Sequence, residues 1–98
     1  MSEKTENDKH YWQLVDTFIG IANDKAQTID RSIIGPSLLY SAARFNAYML
    51  SAVSPTVEVF NENKEAAIKY YLAQHEEMMR ENFDDFAANF DKYRNANS

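Results

Sequence analysis

The chain contains no cysteine. Disulfides, thiolate nucleophiles and cysteine–zinc sites are therefore excluded, and the composition suits a reducing compartment such as the cytoplasm. Glycine and proline are almost as scarce, with two of each in 98 residues. Gly20 and Gly35 stand alone, so no glycine-rich loop can cradle a phosphate. No nucleophile elbow, zincin motif or dinucleotide fingerprint is present either. Positive charge is also short. Ten Lys and Arg stand against 15 Asp and Glu, for a net charge of −5. Such a chain is ill suited to gripping phosphate backbones or anionic membrane surfaces. The opening segment MSEKTENDKH is polar and mixed in charge, without the apolar stretch of an export signal. The expectation is a cytoplasmic protein that binds neither nucleic acid nor membrane, needs no cofactor or metal and is not an enzyme.

What remains is helix. Few β-branched residues are adjacent, and apolar residues recur every three or four positions. Residues 1–7 read as a disordered lead, 8–94 as a single helical domain and 95–98 as a frayed end. The first helix is expected over 8–27, capped by Asn7 or Asp8. Tyr11, Leu14, Val15, Phe18, Ile21, Ala22 and Ile29 share its apolar face, with Trp12 and Ile19 at the edge, while Gln13, Asp16, Thr17, Asn23 and Asp24 face away. The second is expected over 36–53, closed by Ser54-Pro55. Its start is open between Gly35-Pro36, where proline suits the first turn, and Asp30, which would leave Pro36 inside the helix. Between Arg31 and Glu58 the only charged residue is Arg44. The serines and Asn46 in this stretch disfavour a membrane span and favour a buried central helix.

The third helix is the longest. Residues 57–93 contain neither glycine nor proline, and a straight helix of that length would reach roughly 55 Å. Its two companions reach only about 30 Å each. Asn61 is a plausible cap. The predicted fold is an all-α antiparallel bundle of three helices, the third either continuous or broken near Asn82. A continuous third helix overhangs its companions and exposes Met79, Phe83, Phe86, Phe90 and Tyr93. These residues are the candidate interface.

Several polar residues invite chemistry. Ser37, Ser41, Arg44, Tyr48 and Ser51 form one stripe of the second helix, its natural solvent face, with Arg44 as a candidate anion clamp or an ordinary surface cation. Asn46 lies on the opposite side, amid Leu39, Ala42, Ala43, Leu50 and Val53. It reads as a buried amide, either satisfied locally or setting helix register and oligomer state. His75 sits among Tyr71, Leu72, Met78 and Met79. Leu72 stands where a bundle metal site would need Glu, so a core or interface histidine is the better reading. Glu76, Glu77, Glu81, Asp84 and Asp85 against Arg80 give a local charge of −4. This is either a solvated face or a dock for a basic partner.

The segment Leu38-Leu39-Tyr40-Ser41-Ala42-Ala43-Arg44-Phe45-Asn46-Ala47 resembles the hallmark of a small bacterial family of helical proteins catalogued as a domain of unknown function. Residues 11–23, 81–85 and 89–93 are similar to that family too, so the likeness covers about 11–93. The family pattern has alanine-like residues near Pro36, which leaves the second-helix start open. The resemblance implies a compact helical domain and no particular activity.

Three functional expectations follow. The first is a homodimer formed through the C-terminal helix. The second is an acidic, aromatic module that binds a basic protein. The third is a small-molecule pocket lined by Trp12, Tyr48, Tyr71 and His75.

Overall fold

The computed structural model describes residues 2–96. It is all-α, with the order α1 (Ser2–Lys25), α2 (Arg31–Val53), α3 (Val57–Ala88) and α4 (Phe90–Ala96) among the described residues. The three long helices are those the apolar periodicity predicts. Their ends differ from expectation, and each difference has a local cause.

α1 begins at Ser2, so the expected lead 1–7 is helical over 2–7 and Asn7 and Asp8 are not caps. Ser2–Asp8 holds neither glycine nor proline, so nothing in it breaks a helix. Met1, and residues 97 and 98 of the expected frayed end, lie outside the described residues. α1 closes through the amide of Ile29, which donates to the Lys25 carbonyl at 2.8 Å.

α2 starts at Asp30, not at Gly35-Pro36. The Asp30 carboxylate accepts from the Ser32 amide and the Ser32 hydroxyl, both at 2.9 Å. Those two bonds, the backbone one first, hold the Asp30 carboxyl below its ordinary pKa. A cap of this kind satisfies a first-turn donor that proline cannot replace. Pro36 therefore lies inside the helix, where it has no N–H to offer the Ser32 carbonyl.

α3 is capped by Thr56 rather than Asn61. The Thr56 hydroxyl accepts from the Val59 amide at 3.2 Å. The helix then runs unbroken through Asn82, so the expected break is not there. Asn82 Nδ2 donates to the Met78 carbonyl at 2.8 Å, and the amide is accommodated on the helix surface. The interruption comes seven residues later, at Asn89, with φ −120° and ψ 31°. Asn89 still receives helical bonding on both sides. Its amide donates to the Asp85 carbonyl, and its carbonyl accepts from the Tyr93 amide, each at 3.0 Å.

One helical domain is expected over 8–94. The chain instead divides into two compact units, Met1–Ala47 and Tyr48–Ser98, with the boundary inside α2. In the first unit the end of α1 and the start of α2 line one open groove. The second consists of the last turns of α2, then α3 and α4. No residue with a described side chain is buried. Such a helix pair has too few layers to enclose a core.

Candidate interaction surface

In the first unit, α1 meets α2 across a groove of about 220 Å³. Ile21, Ala22 and Lys25 of α1 and Ile29 of the connection form one wall. Ile33, Ile34, Ser37, Leu38 and Ser41 of α2 form the other. Ser37 and Ser41 line this groove and remain exposed, so the stripe of Ser37, Ser41, Arg44, Tyr48 and Ser51 is open to water along its length. The Ser37 hydroxyl is satisfied internally, donating to the Ile33 carbonyl at 2.8 Å.

Side chains half a turn away point away from α1. That opposite face of α2 holds Leu39, Ala42, Ala43 and Asn46. Leu39 is 54% exposed, and both alanines are exposed. α2 was expected to be a buried central helix; along its length Phe45 is 60% and Val53 72% exposed. Asn46, expected to be buried, is half-buried, and within the chain its amide makes no hydrogen bond among the described residues. Arg44 is exposed and forms no ion pair among them.

In the second unit the aromatic stripe of α3 continues onto α4. Met79 is 44%, Phe83 70%, Phe86 50% and Phe90 59% exposed. Tyr93 is half-buried, because its ring lies 4.3 Å from that of Phe86 and its hydroxyl donates to Asp85 Oδ2 at 2.8 Å. That bond to a carboxylate raises the Tyr93 pKa above 10.0, with partial desolvation adding to it. Asn89 Nδ2 donates to Asp85 Oδ1 at 3.0 Å. Asp85 thus ties α3 to α4, which the acidic spacing alone gave no means of foreseeing. His75, expected at a buried position, is exposed in the single chain. A histidine flanked by Glu76 and Glu77 has no covering layer from α3 itself.

Arg80 pairs with Glu76 at 2.8 Å. Glu77, Glu81 and Asp84 have no ion-pair partner among the described residues. No group of three or more metal-ligating side chains gathers among those residues, and no described helix is long and apolar enough to cross a membrane. Of the four residues proposed to line a ligand pocket, Trp12 belongs to the first unit and Tyr48, Tyr71 and His75 to the second. The groove of the first unit is lined by none of them.

The chain is similar to a protein solved by NMR, NB7890A from Shewanella sp., with a TM-score of 0.71 and 28% identity. The match covers 88% of this chain and 92% of that one. No curated protein matches. The family model of "Protein of unknown function (DUF3144)" matches residues 11–87. That range contains the Leu38–Ala47 segment and stops short of 89–93. Having those 77 positions in common, the chain belongs to the DUF3144 family of proteins of unknown function.

Proposed function

We propose that this protein is a non-catalytic helical protein that self-associates, most simply as a twofold dimer, with α3 and α4 supplying much of the contact. One observation carries the reading: large apolar side chains on every long helix stay exposed, and none with a described side chain is buried. α2 exposes large apolar side chains on more than one side, among them Ile33, Leu39, Phe45 and Val53, and such a helix needs cover there. Contiguous apolar surface on this scale marks an association site or an aggregation hazard. Covering Phe83, Phe86 and Phe90 completely is worth about 1.5–3 kcal/mol for each side chain. A cytoplasmic location belongs to the same proposal and rests on the cysteine-free composition.

The test is sedimentation velocity over a wide range of protein concentration, in low and high salt. A dimer that persists in high salt supports the proposal, because hydrophobic contact is not screened. A monomer at every concentration overturns it. A second reading has its own support. Glu77, Glu81 and Asp84 lack cation partners among the described residues, as expected of a dock for a basic protein. In that case the chain stays monomeric alone, and its complex weakens as salt rises.

A further inference from the structure

We propose that the face of α2 carrying Leu39, Ala42, Ala43 and Asn46 is the twofold seam, where the Asn46 amide bonds to the partner's Asn46. The inference rests on the self-association reading and names the surface that reading requires. Three observations converge on a second copy of this chain as the occupant.

The first is charge. α2 holds Arg31 and Arg44 and no acid, a net +2, so the rest of the chain carries −7, and the face of Leu39, Ala42, Ala43 and Asn46 holds no charge. Two copies carry the same net charge and repel at long range, and the face of Leu39, Ala42, Ala43 and Asn46 adds no charge of its own to that repulsion. A basic partner meets only cations on α2, and the Leu39–Asn46 face offers it no carboxylate. The second is Asn46 itself. It is half-buried at the centre of an uncharged face, with no hydrogen bond within the chain among the described residues. An amide is both donor and acceptor. Across a twofold axis each Oδ1 can accept from the partner's Nδ2, so the pair satisfies itself, as a single buried asparagine does in helix pairs of fixed register. Ala42 and Ala43 beside it let the two backbones approach.

The third is area. α2 has 23 residues and is therefore about 35 Å long, presenting roughly 350 Å² over a ~10 Å strip. A stable dimer buries about 800 Å² per partner. The seam alone is too small, so the exposed Met79, Phe83, Phe86 and Phe90 surface must be covered in the same assembly.

The absence of native cysteine makes the test clean. Asn46→Cys, oxidised, should run as a covalent dimer, because a seam residue meets its own counterpart within disulfide reach. Thr17→Cys, on the outward face of α1, should not. In parallel, Asn46→Asp should weaken dimerisation at neutral pH by at least roughly tenfold, since two like charges would be desolvated against each other. Circular dichroism checks that the variant remains helical. If the unmodified protein dimerises, but Asn46→Cys does not cross-link and Asn46→Asp dissociates no more readily, the seam is wrong and self-association stands. If the unmodified protein is monomeric, both readings fall.

Discussion

Single side chains decide where each helix begins. Thr56 caps α3 through one bond from the Val59 amide. Thr56→Ala should cost about 1 kcal/mol, the usual loss for an N-cap, measurable by urea unfolding. Thr56→Ser should retain most of it. Asn61 lies in the fifth position of α3, so Asn61→Ala should not destabilise the helix. Asp30 is a cap of the same kind, with its carboxyl held low by Ser32. A depressed carboxyl contributes stability above its unfolded pKa and loses it as pH falls through the folded one. The start of α2 should therefore loosen below pH 3.8, and Asp30→Asn should remove that pH dependence in helicity measurements.

At the scale of elements, two features stand out: a proline inside α2 and the joint between α3 and α4. Pro36 removes one helical hydrogen bond and crowds the Ser32 carbonyl. Pro36→Ala should stabilise the protein by about 1–2 kcal/mol after allowing for the looser unfolded chain, and thermal unfolding measures it. A loss of stability there would mean that the backbone restriction imposed by Pro36 outweighs the hydrogen bond it removes. The joint is held by Tyr93 and Asn89 on Asp85. The Tyr93 pKa is raised, so its contribution is complete below pH 10.0 and disappears as pH rises through the folded value. Tyr93→Phe should lose this alkaline transition, visible as one fewer late-ionising phenol in tyrosinate absorbance.

For the molecule as a whole, the governing quantity is apolar surface left in water. Phe83→Asp together with Phe90→Asp should raise solubility and shift the association equilibrium toward monomer by at least roughly tenfold, corresponding to about 1.4 kcal/mol. Sizing across a dilution series reads the shift. If the doubly substituted chain associates as tightly as the original, the α3–α4 stripe is not part of the contact. Helical content should hardly change on dissociation, because each helix makes its backbone bonds within itself.

The three long helices and the absence of acid from α2 were legible in the residues, because periodicity and charge are local properties; the short α4 was not. So was the family likeness, carried by Leu38–Ala47. The caps were not. Asp30, Thr56 and Asn89 each compete with a neighbouring residue of similar propensity, and small differences in turn geometry choose between them. Asn82 illustrates the point. An asparagine inside an amphipathic run signals a break, yet its side chain bonds the Met78 carbonyl and α3 continues. Tertiary structure alone decided that Ser37 and Ser41 line a groove shared with α1 while staying open to water. A helical wheel orders side chains around an axis, but which side meets a neighbour depends on the path of the connection and on where small side chains allow close approach. The same logic left Leu39, Ala42, Ala43 and Asn46 on the open side. Burial is a property of what stands opposite a residue, and one chain's sequence specifies its own faces without specifying what covers them.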